Sequence, residues 1–589
     1  MMGRRMLAIG AVAATLAALP TAAGAATITV TTASDVSAVE CTLRDAIVAA
    51  NTNSPKGACP AGQPGPVVDL IDFSLPAPST IALGSALPTV TSEVSIVGPG
   101  AEQLTISGGN AHRVFNFSLA ATASASGLTI TEGRATEGAG IENNGTLTLE
   151  QVAVVANVAG VEGGANTFPE GGGIRSGGDL TLMRSTVSGN IAIGTGGTNQ
   201  NAPEGGGIFN NNGTLIIEES TISGNTATAI AGAGGTTNAV GGGILNSSGT
   251  LSVERSTISG NSASATGSTT FNTAQGGGIA DGNSPSTAVR IENSTIAGNS
   301  AAATGKGSLS SQGGGLTSYG SSVAISSSTI VGNSAVTGAS VFVFKVPTVL
   351  NTIVADPLGG GKSCSAPVES GGYNLEDGTS CGFTKPTDKP KTDPMLSPAG
   401  LADNGGPTPT IAFLPGSPAI NQGLSEPGET TDQRGLSRPV LYPGIPVTNP
   451  GSNGADIGAF ELQVPVSPAP EAPVVPTVPA GKPVRDLRVR VKCPTGAKPG
   501  GCKFTLQGVS AKPPKPGRKG TGHGRAKKPV AETAVAKIKL APGQSALVTL
   551  KPKPKYALSL EAATKIIVRE TETVKGITRT TYRTLRLVP

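Results

Sequence analysis

The sequence predicts an all-β chain, a right-handed three-sided parallel β-helix solenoid followed by a small antiparallel β-sandwich-like domain. Three observations predict the solenoid. Gly171-Gly172-Gly173-Ile174 recurs with its aliphatic residue at Ile208, Ile244, Ile279 and Leu316, and a degenerate copy ends at Ile141, giving periods of 33, 34, 36, 35 and 37 residues. A second pattern, Ser-Thr-Ile-Ser-Gly-Asn, ends at Asn190, Asn225, Asn261, Asn299 and Asn333, with a weaker form at Asn157. Between the two patterns lies a short alternating segment such as 250–253, and none of these segments has helical periodicity.

Each repeat therefore supplies three strands. Leu251 and Val253 share one face by the period-two rule, and Ile258 of the next segment points to the same interior. One coil cannot bury so few side chains. Stacked coils can, with Ile174, Ile208, Ile244, Ile279 and Leu316 as one ladder and Val187, Ile222, Ile258, Ile296 and Ile330 as another. The asparagine column at 190, 225, 261, 299 and 333 reads as a structural ladder whose amides hydrogen-bond along the stack, in preference to ligand contacts. From each Asn to the next Gly triplet run 13, 14, 15, 14 and 13 residues rich in Ala, Thr, Gly and Asn. These read as long polar loops at one corner, whose alignment makes a candidate binding face.

Composition bounds the alternatives. The 589 residues include 84 Gly and 45 Pro, with 37% hydrophobic and 14% charged residues. That balance excludes a uniformly charged disordered chain, and the glycines lack the three-residue period of collagen. Arg4 and Arg5, the apolar run 6–19 and the small residues Ala23-Gly24-Ala25 read as a secretory signal over 1–25, with Ala26 as the mature start. No later segment carries 18 consecutive apolar residues, so no transmembrane segment is expected. No sorting sequence or hydrophobic tail precedes Pro589, so the expectation is a secreted, extracellular or envelope-associated monomer without a visible covalent anchor. Six cysteines in an exported chain pair most simply as nearest neighbours: Cys41 with Cys59, Cys364 with Cys381, Cys493 with Cys502. Closing a loop as short as the first stabilises by about 3 kcal/mol.

Motifs at both ends of the repeat carry a resemblance. The Gly-Gly-Gly-Ile and Ser-Thr-Ile-Ser-Gly-Asn repeats resemble right-handed parallel β-helix proteins of the pectin-lyase-like superfamily, especially bacterial surface proteins with polymorphic-outer-membrane-protein-like repeats. Cys41-Thr42-Leu43-Arg44-Asp45-Ala46 is similar to the Cys-Ser-Leu-Arg-Glu-Ala motif at the start of such proteins, with two conservative departures. It reads as an amphipathic helix with Leu43, Ile47 and Ala50 on one face, closing the solenoid within a cap over 26–66. Repeats are expected over 67–390. Downstream, Asp403-Asn404-Gly405-Gly406-Pro407-Thr408, Asp432-Gln433-Arg434-Gly435 and Asp456-Ile457-Gly458-Ala459-Phe460-Glu461 resemble a choice-of-anchor Q domain, placing a C-terminal cap over 391–463. Arg434, Arg438, Asp456 and Glu461 read as structural ion pairs of that cap.

The superfamily also contains polysaccharide lyases and glycoside hydrolases, so acting on an acidic polysaccharide is the alternative to binding. A lyase needs carboxylates for calcium with an Arg or Lys base, and a glycosidase needs two carboxylates across the bond. Glu150, Glu218, Glu254 and Glu292 recur once per coil and read as a solvated stripe, with calcium binding as the other possibility; no catalytic residue is assigned. Gly522-His523-Gly524 matches a polygalacturonase motif by letters, but it lies in a basic loop and its partner motifs are missing. Without Trp the chain lacks the best sugar-stacking ring.

Residues 464–483 read as a Pro-rich linker and 484–589 as the sandwich-like domain, with a mobile loop over 512–530. The net charge of +5 conceals a division: residues 26–463 hold 16 Lys/Arg against 32 Asp/Glu, whereas 464–589 hold 25 against 6. The basic domain and the loop face are thus expected to meet a cell-envelope polyanion or polysaccharide, and no nucleic acid is expected because aromatics do not interleave with the charges. The role predicted is adhesin-like, structural or polysaccharide-binding.

Overall fold

The computed structural model describes residues 25–232, 234–282, 288–320 and 322–464 and, as backbone, six strands between 487 and 586. The chain divides into two units, Met1–Val464 and Pro465–Pro589. The signal-like segment and the linker fall outside the described residues.

In the first unit the repeats wind into a parallel β-helix. Strands Ile208–Asn210, Thr214–Glu218 and Thr221–Ser223 pair in parallel with Ile244–Asn246, Thr250–Glu254 and Thr257–Ser259 of the next coil. Continued along the stack, these pairings make sheets of eight, twelve and eleven strands. Register is set by the interior. The ladder from Ile174 to Leu316 and that from Val187 to Ile330 are fully buried, and slipping one residue would turn each aliphatic side chain to solvent.

Each glycine of the triplet answers a separate steric demand. Gly205 has φ +62°, a β carbon on Gly206 would lie 2.3 Å from the carbonyl carbon of Thr226, and one on Gly207 would lie 2.7 Å from the Gly243 carbonyl oxygen. The first needs left-handed backbone and the others need room for the neighbouring coil.

The segments expected as polar loops are strands. Between Asn225 and Gly241 run Thr226–Ile230 and Thr236–Val240, and their counterparts stack into parallel sheets of six and five strands. Ala227, Ala229, Ala239, Ala263, Ala265 and Ala274 form a core between those sheets, apart from the main one. Alternation of Thr or Ser with Ala makes one face of each strand small and apolar, so two sheets can approach and every N–H can bond to the coil beside it. A middle coil therefore has five strands, and its projecting corner is a two-layered fin.

Both ends of the main core are closed. Thr27–Val30 is already a rung, paired in parallel with Asp69–Phe73. The following helix, Leu43–Thr52, starts at Thr42, whose hydroxyl accepts the Asp45 N–H at 3.1 Å, and buries Leu43, Ala46, Ile47, Ala49 and Ala50 in that core. Disulfide Cys41–Cys59 and the 2.8 Å ion pair Arg44–Asp35 hold it. At the other end Cys364–Cys381 and Phe383 join the same core. The third expected pair lies outside the described residues and side chains.

Residues 391–463, expected as an end cap, run back along the flank of the eleven-stranded sheet. Ile411, Phe413, Ile420, Ile457 and Phe460 pack on the outward side chains Ala297, Val331 and Ala355. Polar contacts reach further back, with Gln433 donating to Thr257 at 2.8 Å and accepting from Thr295 at 2.6 Å. The segment is a lateral buttress spanning several coils.

The described residues of the second unit form two antiparallel sheets. Leu487–Lys492 pairs with Ser545–Leu550, and the other follows the order Ala536–Leu540, Cys502–Val509, Lys565–Val574, Ile577–Arg586. The basic loop 512–530 lies outside the described residues. Among the described residues no helix is long and apolar enough to cross a membrane.

Candidate functional site

Three groups singled out in the sequence are held by other parts of the protein. Along the asparagine column each Nδ2 donates to the Oδ1 of the next, at 2.9 Å from Asn157 through Asn261 and 3.0 Å from Asn299 to Asn333. All six side chains are fully buried. The glutamate stripe is laced with arginines: Arg184 bridges Glu150 and Glu219, Arg255 bridges Glu218, Glu219 and Glu254, and Arg290 pairs with Glu292. The stripe sits beside a corner where Arg184, Glu219 and Arg255 all have left-handed backbone, with φ 47°, 48° and 46°, which aims alternating charges along the stack. Among the described residues no group of three or more His, Cys, Asp or Glu is placed to hold a metal ion.

In the buttress, Arg434 pairs with Asp432 at 2.6 Å and Arg438 with Glu461 at 3.0 Å and Glu429 at 3.1 Å. Asp456, read as a member of these pairs, makes no ion pair among the described residues; its carboxylate accepts backbone N–H groups of Asn421 at 2.7 Å and Leu462 at 2.6 Å. Burial, with the adjacent Glu461 carboxylate, pushes Asp456 up to about 8.

The most chemically varied surface is one the sequence reading passed over. Central residues of the eight-stranded sheet face away from the main core as the series Glu142, Arg175, Phe209, Leu245, Ala280, Thr317 and Phe342, of which Phe209, Leu245 and Ala280 are buried with Val240 in a small apolar cluster and Thr317 is buried as well. Beside them, at the base of the fin, runs a second column. Glu137, Glu170, Glu204 and Val240 are neighbours by successive parallel bridges just before the glycines, and Gln275 and Gln312 occupy the same place in the next coils.

At one end of this strip Arg175 serves three acids: Glu142 at 2.7 Å, Glu170 at 2.7 Å and Glu137 at 3.3 Å. Its guanidinium carbon lies 6.0 Å from the Phe209 ring centre. Arg113 donates to the carbonyls of Glu137 and Gly138. Glu142 is 6% exposed, yet its Oε2 has no hydrogen-bond partner and the nearest Arg113 nitrogen is 3.8 Å away. Glu204, on the next coil, makes no side-chain hydrogen bond or ion pair among the described residues. At the other end Gln312 Oε1 accepts from Gln275 Nε2 at 3.1 Å and from the Tyr319 hydroxyl at 2.8 Å. Phe342 and the largely exposed Phe344 have ring centres 6.0 and 5.9 Å from Tyr319.

Burial, and secondarily the Glu170 carboxylate, push Glu204 up to about 7. A carboxyl whose folded pKa is raised adds stability below its unfolded pKa and loses it as pH rises through the folded value. Thermal stability is therefore expected to fall by about 2 kcal/mol from this group as pH rises from the ordinary carboxyl value, 4.5, up to about 7, after discounting for residual solvent contact. Melting curves of Glu204→Gln should decline less steeply over that window while keeping the broader decline due to Asp456, which runs from the ordinary carboxyl range up to about 8; an unchanged profile would refute the assignment.

The signal for this column was available in the letters, as Glu stands before the glycines in three successive coils, Glu137-Gly138, Glu170-Gly171 and Glu204-Gly205. Comparisons with protein-family models, curated proteins and solved structures returned no match.

Proposed function

We propose that the chain is an exported, envelope-associated β-helix protein that binds polysaccharide along the outward strip of its eight-stranded sheet. The observation that carries this is the strip itself: carboxylates and arginine at one end, paired amides with a tyrosine at the other, and an exposed phenyl ring beside them. Coils repeat at about 4.8 Å, so the accessible groups at the two ends of the strip fall along one axis and suit a linear polymer that passes over the buried Phe209, Leu245 and Ala280 between them. Amides and hydroxyls match sugar hydroxyls, and rings match the apolar faces of pyranoses. The resemblance to pectin-lyase-like and choice-of-anchor Q proteins belongs to the same reading.

The test is a polysaccharide panel, neutral and acidic, titrated calorimetrically. Tyr319→Ala is expected to weaken the best ligand about tenfold, the loss of about 1.4 kcal/mol, measured below the melting temperature of the variant so that the coils stay folded. Equal affinity for the variant would move binding off the strip, and shortened or unsaturated sugar product in the same mixture would replace binding by catalysis.

Retention is proposed to come from the second unit, where residues 464–589 carry 25 basic and 6 acidic side chains. Attraction to an envelope polyanion is screened when the Debye length shrinks to about 3 Å at 1 M salt. Full-length protein should elute from cell envelopes in 1 M sodium chloride and remain bound at 0.01 M. Retention independent of salt would refute an electrostatic anchor.

A further inference from the structure

A groove of about 460 Å³ lies on the flank of the first unit, between the solenoid and the edge of the buttress. Its floor is the corner that follows the eleven-stranded sheet. Gly260, Gly298, Gly332 and Asp356 occupy that corner in successive coils, because Ser259, Ala297, Val331 and Ala355 just before them are register partners. All four have left-handed backbone, with φ 63°, 66°, 64° and 52°. A β carbon on Gly298 would meet nothing within 4 Å, so the space above the floor is open. The glycine N–H groups donate to Ala297, Val331 and Ala355 of the next coil, whereas the three glycine carbonyls accept no hydrogen bond among the described residues. The floor is therefore a row of free acceptors.

Asp356 ends the row with a charge. The five coils before it carry glycine at this place, from Gly189 to Gly332, and aspartate is one of the few other residues that tolerate the left-handed conformation. Its exposed carboxylate makes no hydrogen bond or ion pair among the described residues, and Asp377, which accepts the Asp356 N–H at 2.8 Å, adds a second negative charge beside it. The walls are aliphatic, Ala297 and Val331 from the sheet with Leu396, Leu401 and Ile411 from the buttress. Acceptors set in a line suit donors strung along a chain better than a single ion. Successive coils are about 4.8 Å apart. Three methylenes between two nitrogens span about 5 Å at ordinary bond lengths, in step with the coils. Same-side N–H groups of an extended peptide lie about 6.6 Å apart and fall out of step. A protonated amine has donors and no acceptor, which is what a row of carbonyls closed by a carboxylate requires.

We propose that this groove binds a linear aliphatic polyamine with trimethylene spacing, its ammonium groups seated on the carbonyls of Gly260, Gly298 and Gly332 and on the Asp356 carboxylate. The methylenes between nitrogens pack on Leu396, Leu401 and Ile411. Four acceptors one coil apart take four nitrogens, so a tetraamine fills the row. The site is separate from the strip on the eight-stranded sheet and does not depend on what that strip binds. Residues 26–463 carry 16 basic and 32 acidic side chains and attract any polycation, so spacing and place are what distinguish the groove from that general attraction.

Calorimetry on the full-length chain tests this at about 0.15 M salt, where the Debye length of about 8 Å limits diffuse attraction. The probes are a linear tetraamine with trimethylene spacers and one of the same charge with hexamethylene spacers. The first is expected to bind one per chain and at least tenfold more tightly than the second. Asp356→Gly restores the glycine of the other coils and removes the carboxylate. Gly298→Asn fills the open space with a residue that tolerates left-handed backbone. Each substitution should weaken the trimethylene tetraamine about tenfold, and melting curves confirm that both variants fold. Equal affinity for the two tetraamines would refute the match between nitrogens and coils, and with it the site. Unchanged binding in both variants would place the amine elsewhere on the acidic surface and overturn the proposal, as would no binding by either probe.

Discussion

Asn225→Ala is expected to destabilise the middle coils by about 4 kcal/mol, far beyond the loss of an exposed asparagine. Its Oδ1 accepts both the Asn190 N–H at 3.0 Å and Asn190 Nδ2 at 2.9 Å, and its own Nδ2 donates to Val187 O and Asn261 Oδ1, each at 2.9 Å. Alanine breaks all four bonds at once. Two donors of Asn190 and the Val187 carbonyl are then buried without water, at about 1–3 kcal/mol for each group left unsatisfied, less whatever relaxation recovers. Aspartate keeps the acceptor but turns a second oxygen toward Val187 O and Asn261 Oδ1, burying a charge against lone pairs, so Asn225→Asp should be no better. Ser220→Ala is the graded comparison. Its hydroxyl accepts only the Ser185 N–H, at 3.0 Å, and donates to Glu218 O at 2.7 Å, so about 1–2 kcal/mol is expected. In a stack with nearest-neighbour coupling the damage spreads to adjacent coils. Hydrogen exchange should show lost protection from Val187 to Ile258 with the helical end cap still protected, and a uniform, small change would refute the ladder's energetic role.

The same ladder shows why some of this protein is readable from its letters. Asn190, Asn225 and Asn261 repeat because each coil presents an identical cavity to the next, so a local steric and hydrogen-bonding demand becomes a period in the sequence. Ile208 and Ile222 are legible for the same reason. The fin was not. Ala227 and Ala229 alternate as a strand should, but alanine carries too little hydrophobic contrast with threonine and serine to distinguish a small-residue sheet from a polar loop, and only the presence of a second alanine-faced sheet makes burial possible. Nor was the buttress, because Arg438 and Gln433 meet residues more than a hundred positions away, and no period links them. The acidic end of the strip lies between these cases. Glu170 and Glu204 recur visibly, but the difference between them depends on how far one arginine reaches, and Arg175 ends at the coil before Glu204.

Arg438→Met is the second large effect expected, and it separates the buttress from the solenoid. The Arg438 side chain is fully buried and spends every arm of its guanidinium: Nε on Glu461 at 3.0 Å, Nη1 on Asn293 Oδ1 at 2.8 Å and Glu429 at 3.1 Å, Nη2 on the carbonyls of Gly458 at 2.5 Å and Asp456 at 3.2 Å. Methionine fills much of the volume but leaves Glu461 and Glu429 buried beside Asp456 with no cation. Breaking a buried pair from one side costs about 3–5 kcal/mol, because the remaining charge cannot be rehydrated in place. Asp456 is already held up by burial and by Glu461, so the acids respond by taking up protons, and the penalty grows with pH. Arg438→Lys keeps the charge but lacks the planar fork that reaches three elements, and should recover only part of the loss. Glu461→Gln in the Arg438→Met background removes one stranded acid and should restore stability relative to Arg438→Met alone, a coupling that simple loss of packing would not produce. The solenoid has its own core, so the failure is local: limited proteolysis of Arg438→Met at pH 8 should cut within 391–463 while leaving 67–390 resistant. Cleavage throughout the repeats would mean that the flanking segment is needed to keep the coils stacked.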